Sequence, residues 1–569
     1  MKCKALNKRL NNSTNFIIFA VAMELPVAFI EQIKELLPNE YEAFLKAMDK
    51  PSPVSVRLND KVAITPNYPP VPHCSSGYYL PERPTFTLDP WFHAGVYYVQ
   101  EAGSMYLEQV VRNYFSGTSL SGPLISLASP RLSSSKLDSA LGSHKDSTSS
   151  GTDKDESTNR LIGDVLMTEG NNRSTPNGLE LPTCSESIID SPNHQITKSP
   201  ERSEFRALDL CAAPGGKSTH LASLLSDDSL LISNEVMPQR AHILAENATK
   251  WGYGNMQVTN NRPADFGKLE GYFDLLLTDV PCSGEGMFRK DEKAIEDWSP
   301  AYVLECAERQ RSILTDVWPA LKQGGLLIYS TCTFNKAENE DNIAWIAQEL
   351  GAEILESRHF YFHTDQSEGL FMAALRKTAP TTQMRVKSKV ESRKSKVESQ
   401  CKVRAIEFIR IAEPQPDFMS EANKVGLKSP LINSENWCIK EEKDLIYALP
   451  KAYEADFAIL DKHLRWLKKG IGIATLKGKN QTPHIDLALS RHINTQAFTT
   501  YDMDLTTALH YLKGESITLS DAPIGYLLLT YKGVPIGWGK NIGNRCNNLY
   551  PDAWRIRMNI PDTLCTLPF

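Results

Sequence analysis

Apolar residues recur at helical spacing early in the chain, at Phe29, Ile33, Leu36 and Leu37, and then give way to strand and turn signals around Ser55-Val56-Arg57-Leu58. The pattern predicts a small α/β unit over residues 23–115. Between 116 and 203 the periodicity stops, and Ser, Thr, Asp, Asn, Gly and Pro dominate, as in Ser133-Ser134-Ser135 and Ser147-Thr148-Ser149-Ser150. Too few aromatic residues stand there to support a core, which predicts a disordered, Ser-rich insertion.

A continuous α/β pattern occupies residues 204–378. Buried-strand runs such as Ala207-Leu208-Asp209-Leu210, Phe273-Asp274-Leu275-Leu276-Leu277 and Leu326-Leu327-Ile328-Tyr329 alternate with amphipathic helical stretches. That alternation predicts a parallel, doubly wound sheet. Residues 379–404 hold a tandem seven-residue repeat, Val386 to Ser392 and Arg393 to Ser399, and two copies are too few for a solenoid, so the segment reads as a charged linker. The remainder, 405–569, has short apolar runs between Gly, Pro and Asn, such as Gly525-Tyr526-Leu527-Leu528-Leu529-Thr530-Tyr531, and reads as largely β.

Composition changes this picture little. A length of 569 residues suggests three or so folded units, at roughly 100–200 residues each. The net charge of -6 gives no global basic footprint, so any nucleic-acid surface must be built from local patches. The 11 cysteines form no C-x-x-C pair and no Cys/His cluster at zinc spacing, which points to a reduced, cytoplasmic chain without a metal. Lys2, Lys4, Lys8 and Arg9 precede a short apolar run from Phe16 to Ala22, a weak imitation of an export signal. Because a folded pattern begins at Met23-Glu24-Leu25-Pro26, residues 1–22 are expected to be an N-terminal extension instead. No later stretch has the length of a membrane span, and no membrane partner is expected.

Candidate chemistry sits at three strand ends. Leu208-Asp209-Leu210 runs into Cys211, Ala212, Ala213, Pro214, Gly215, Gly216 and Lys217, which reads as strand, tight small-residue turn and helix start. Small residues let a ligand approach the backbone, and a helix start offers unpaired N–H groups. Gly216-Lys217-Ser218 also supplies the tail of a phosphate loop; however, Cys211 stands where that motif requires Gly, and Pro214 interrupts the run of donors, so a nucleotide triphosphatase is disfavoured. Glu235 closes the next strand, Leu230 to Asn234, about 20 residues beyond Gly216, where doubly wound nucleoside binders hold ribose hydroxyls. The loop after Val258 offers Asn260, Asn261 and Asp265 for a base edge.

The other two strand ends carry thiols: Cys282 in Thr278-Asp279-Val280-Pro281-Cys282 and Cys332 in Ser330-Thr331-Cys332-Thr333. An N-x-x-E arrangement, Asn335 to Glu338, is expected to start a helix just after Cys332 and to stabilise its thiolate. Either cysteine alone would more often be packing than catalysis. Two at adjacent strand ends, one preceded by Asp-x-Pro, are harder to explain as packing.

The segments CAAPGGKSTH (Cys211 to His220), DVPCSGEGMFRKD (Asp279 to Asp291) and YSTCTFNKAENEDN (Tyr329 to Asn342) together resemble the RNA 5-methylcytosine methyltransferase family, also called the Sun family. The resemblance implies an α/β, class I Rossmann-like fold, S-adenosylmethionine as cofactor, Cys332 as nucleophile and Cys282 as the thiol assisting product release. Cofactor contacts carry over to Cys211 through Lys217, Glu235, Asn261 and Asp279. Asn261 departs from the acid that family members often have. Tyr98-Val99-Gln100-Glu101-Ala102-Gly103-Ser104 and Glu368 to Ala373 also look like family segments. Gly533 to Lys540, with Asn548-Leu549-Tyr550-Pro551, resembles the PUA-like domain of bacterial members that modify small-subunit ribosomal RNA, with Trp538 and Lys540 as candidates for RNA contact or for core and surface.

Chemistry of that kind explains the residue types. Carbon 5 of cytosine becomes nucleophilic once a thiolate adds to carbon 6, and a base must later remove its proton. Asp279 is suited to the ring's N3 and amino edge, and Lys217 to orienting or neutralising the site. A monomeric enzyme acting on small-subunit ribosomal RNA is expected. Transfer RNA as substrate and a non-catalytic ribosome assembly factor are the alternatives, and a DNA enzyme is disfavoured because its nucleophile would come from the Pro-Cys segment.

Overall fold

The computed structural model describes residues 25–115, 205–378, 429–478, 480–519, 521–561 and 568–569. The expected extension 1–22, the Ser-rich insertion 116–203 and the repeat linker 379–404 lie outside these residues.

Helices Val27–Leu36 and Tyr41–Met48 open the described chain, followed by β1 (Val54–Leu58), β2 (Gly77–Leu80) and β3 (Tyr97–Val99) in an antiparallel sheet of order β2-β1-β3. The apolar spacing read from the sequence is the buried face of the first helix: Phe29 and Ile33 are fully buried. They pack, with Phe44, on Phe288, Trp298, Phe334 and Phe362. Phe288 and Phe334 lie a few residues after the two candidate cysteines, so the N-terminal helices pack against the segments that carry them.

The central sheet contains β4 (Arg206–Asp209), β5 (Leu230–Asn234), β6 (Met256–Thr259), β7 (Phe273–Asp279), β8 (Leu321–Thr331), β9 (Ala352–Phe360) and β10 (Leu370–Lys377). Every residue of β5 is buried. Successive side chains serve opposite faces: Leu230 and Ile232 join one apolar cluster and Leu231 the other. A strand covered on both faces has apolar residues on both, so Leu230, Leu231 and Ile232 follow one another without alternation.

The region after 428 supplies β11 (Trp437–Glu442), β12 (Leu445–Pro450), β13 (Trp466–Lys468), β14 (Ile471–Lys477), β15 (Asn480–Pro483), β16 (Thr500–Met503), β17 (Gly525–Tyr531), β18 (Val534–Asn541) and β19 (Cys546–Asn548). β13 pairs antiparallel with β6 and completes an eight-stranded central sheet of order β13-β6-β5-β4-β7-β8-β10-β9. The sheet is therefore mixed rather than wholly parallel. β4 to β8 run parallel, and β10 runs antiparallel to both of its neighbours, β8 and β9, because the short connection from β9 to β10 cannot make a parallel crossover. The order reverses at β4, which places the crevice for a ligand between the loops after β4 and its neighbours. The other C-terminal strands form two four-stranded sheets, β11-β12-β14-β15 and β16-β17-β18-β19.

Candidate active site

The turn after β4 is braced from the helix Pro238–Trp251. Arg240 donates to the Ala213 carbonyl at 2.7 Å and Asn247 to that of Pro214 at 2.8 Å. Gly215 adopts φ +117°, which favours glycine, and a Cβ there would press to 3.2 Å from Leu244. The helix Gly216–Leu224 starts at once, with Lys217 in its first turn. Beneath the turn, Asp209 is fully buried; one oxygen accepts from the Ser218 hydroxyl at 2.5 Å and the other has no protein partner. Burial pushes its carboxyl up to about 7, and the nearby acids Asp279 and Glu235 act in the same direction. Burial likewise raises the Cys211 thiol well above its ordinary range, so Cys211 contributes as part of the turn rather than as a thiolate.

Glu235 follows β5 directly and is buried; its carboxylate accepts from the Met237 N–H at 2.9 Å and stands 3.4 Å from Arg240. Beside it, Val236 and Met237 are half exposed, large apolar side chains, and Val236 lines a cleft of about 640 Å³. Asn260, Asn261, Arg262, Asp265 and the segment Asp461 to Arg465 line this cleft. Asn261 lines this cleft, but its carboxamide is engaged within the protein. Its carboxamide closes on the backbone of Arg465, accepting from the N–H at 3.0 Å and donating to the carbonyl at 3.2 Å. That pairing joins the register of β13 on β6, so Asn261 is first a clasp for the added strand. The contribution of Asp461 to Arg465 to the cleft had no signal in the sequence, since it arises from a strand pairing across some 200 residues.

At the neighbouring strand ends the two thiols meet. Cys282 Sγ lies 3.0 Å from Cys332 Sγ, and it also accepts the Cys332 backbone N–H at 3.2 Å. The bond to Cys332, reinforced by burial, raises the Cys282 thiol well above its ordinary range. Lys217 reaches across from the first turn to Asp279 at 2.9 Å, and Ser330 donates to the other Asp279 oxygen at 2.7 Å. Burial pulls the Lys217 ammonium down, yet Asp279 and Cys332 outweigh it and hold it above its usual range. Cys211, Lys217, Asp279, Cys282 and Cys332 thus gather at adjoining strand ends of one sheet.

Two buried carboxylates fasten the loops that carry the thiols. Glu285 accepts from the backbone N–H groups of Phe334 and Asn335 and from Trp298 Nε1. Glu338 accepts from the Ser283 N–H at 3.0 Å and Gln310 at 2.6 Å. The helix expected at Asn335 begins instead at Glu340. The reciprocal Asn335 and Glu338 contacts exist, at 2.9 and 2.7 Å, but they close a turn and free Glu338 to grip the Cys282 loop. The local charge beside Cys332 is consequently Lys217, not a helix terminus. Trp538 is also assigned: it is buried and donates to the His484 carbonyl at 2.9 Å, while Lys540 is exposed over the Tyr526 ring.

A nucleoside-bearing cofactor fits this crevice. Glu235 ends the strand beside it, the half-exposed Val236 lines it, and the unpartnered Asp209 oxygen lies under the glycine turn. Fold and site together define a class I methyltransferase that uses S-adenosylmethionine. Residues 195–376 match the family described as 16S rRNA methyltransferase RsmB/F, residues 25–102 the N-terminal domain of 16S rRNA methyltransferase RsmF, and residues 498–556 the methyltransferase RsmF PUA domain. Ribosomal RNA small subunit methyltransferase F of Aliivibrio salmonicida is 30% identical over 366 residues, covering 61% of this chain and 73% of the relative. The protein of the same description from an Enterobacter strain is 30% identical over 369 residues, covering 61% and 72%. The chain belongs to the ribosomal RNA small subunit methyltransferase F family. Among solved structures, a methyltransferase homologue from Pyrococcus horikoshii aligns with TM-score 0.41 and 21% identity, over 62% of this chain and 96% of that one. Among the described residues, no helix is long and apolar enough to cross a membrane.

Proposed function

We propose that the protein methylates carbon 5 of a cytosine in small-subunit ribosomal RNA, through a covalent adduct between Cys332 and cytosine carbon 6 that Cys282 helps to resolve. The observation carrying this reading is the 3.0 Å approach of the two thiol sulfurs beside the Lys217 and Asp279 pair. The substrate follows the relatives, which are described as small-subunit ribosomal RNA methyltransferases, and the PUA domain match supports an RNA ligand.

S-adenosylmethionine, when bound, supplies the methyl group as an electrophile. The chain's residues act on the base. A Cys332 thiolate, beside the Lys217 ammonium and 3.0 Å from the Cys282 sulfur, gives its electron pair to carbon 6, and the displaced π pair makes carbon 5 nucleophilic. Asp279, held by Lys217 and Ser330, accepts from the cytosine amino edge and fixes the ring. Once carbon 5 is methylated, Cys332 is a thioether and no longer holds a proton on Cys282. Cys282 loses that proton to solvent, takes the one on carbon 5, the ring double bond reforms, and the carbon 6 to sulfur pair returns to Cys332.

Bisulfite sequencing of ribosomal and transfer RNA from a strain lacking the gene tests the reading. Loss of one methylated cytosine in small-subunit ribosomal RNA is expected. A change confined to transfer RNA would move the substrate, and no change at any cytosine would favour the assembly-factor alternative.

A further inference from the structure

We propose that Cys74, Glu108 and His220 form a structural zinc site, separate from the thiol pair that acts on the base. The three residues are buried, and one donor atom of each lies within 4.8 Å of the others. His220 Nε2 is 3.4 Å from Glu108 Oε2 and 3.7 Å from Cys74 Sγ. Zinc bonds of roughly 2.0–2.3 Å meeting at a tetrahedral angle put donors about 3.3–3.7 Å apart. A good N–H···O hydrogen bond would be shorter, about 2.7–3.2 Å. One ring nitrogen faces both an oxygen and a sulfur, and a single proton on it serves only one of them. A cation at their common point serves all three.

The surroundings suit such an ion. The Ser75 N–H holds Glu108 Oε2 at 3.1 Å, and Arg112 holds Oε1 at 2.9 Å, so the carboxylate is oriented by neighbours as metal-bound carboxylates are. Burial keeps His220 neutral, lowering it to about 4, which leaves a nitrogen lone pair available. Burial and the Glu108 charge push the Cys74 thiol up to about 12, so ion binding would release its proton. A thiolate and a carboxylate neutralise a divalent charge. The chain separations, from Cys74 to Glu108 to His220, explain why no zinc spacing showed in the sequence. The ion would tie the loop before β2 and the helix Leu107–Tyr114 to the helix Gly216–Leu224, which begins in the cofactor turn.

The test uses the full chain, purified without chelators and without a histidine tag. Mass spectrometry of the native protein is expected to find about one zinc per chain, falling below about a tenth in Cys74→Ser and His220→Gln. Protein produced with cobalt should show a thiolate-to-cobalt charge-transfer band that Cys74→Ser removes. Native protein that carries under about a tenth of an equivalent and takes up no added zinc overturns the site. Zinc retained in both variants overturns its placement. If the variants do not fold, the zinc content and cobalt band of the native protein decide the matter alone.

Discussion

Glu285 accepts the backbone N–H of Asn335 at 3.0 Å, so the loop that carries Cys282 holds the shape of the loop that carries Cys332. The same carboxylate takes the Phe334 N–H at 2.8 Å and is fully enclosed. Each buried N–H left without its acceptor costs about 1–3 kcal/mol. Replacing Glu285 by Ala should therefore loosen the sulfur pair while leaving the glycine turn intact. The expected outcome is a fall in methylation of about 100-fold, the scale of a small misplacement of reacting groups, with S-adenosylmethionine affinity changed little. Calorimetry of cofactor binding beside single-turnover methylation separates the two; equal losses in both would remove the positioning role.

The roles of the two thiols differ in what they leave behind. On the proposed mechanism, Cys332 can still add to carbon 6 without Cys282, but the carbon 5 proton then lacks its acceptor and the adduct persists. Cys282→Ala should accumulate a protein–RNA adduct visible as a shifted band on denaturing gels. Cys332→Ala should show neither adduct nor methylation, a loss of at least about 1,000-fold. An adduct formed by Cys332→Ala would reverse the assignment.

Strand runs were legible where burial demands one kind of residue. Leu230 to Asn234 and Gly525 to Tyr531 are β5 and β17 with the boundaries the apolar runs suggest. The strand-end thiols were legible for the same reason, since each ends such a run. What escaped the sequence depends on partners far along the chain. The Asn335 and Glu338 pattern looks like a helix cap, but a buried site for Glu338 beside Ser283 outcompetes the helix start. Asn261 looks like a loop amide open to a ligand until Arg465, the residue before β13, pairs with it. Trp538 reads as stacking surface or as core, and its burial, its bond to the His484 carbonyl and the Phe498 ring 5.0 Å away decide for the core.

Asp209 makes stability depend on pH with a definite sign. Its carboxyl titrates near 7 in the folded protein and near 3.8 when exposed, so between these values the folded chain binds the extra proton. The group's contribution to stability is full below the lower value and is lost as pH rises through the upper one. Asp209→Asn cannot ionise. Urea midpoints are expected to favour the variant over the wild type increasingly from pH 5 to pH 8, by an amount on the order of a few kcal/mol at most. A difference that does not vary with pH would show that Asp209 is ionised throughout.

Lys61 joins three parts of the chain at one ammonium group. Its Nζ donates to the carbonyls of Ala94 at 2.8 Å, Lys250 at 2.6 Å and Leu489 at 2.7 Å, which belong to the N-terminal unit, the central domain and the C-terminal region. The approach is so close at Gly252 that a Cβ there would meet the Leu489 oxygen at 2.2 Å. Three donors on one nitrogen match three acceptors around one point, a geometry that a planar guanidinium does not reproduce. Lys61→Met leaves those carbonyls unpaired at about 1–3 kcal/mol for each one that stays buried, and the melting temperature should fall by several degrees. Lys61→Arg keeps the charge and should not recover the loss. Recovery by arginine would mean that the positive charge alone, rather than the three-way bond, holds the domains together.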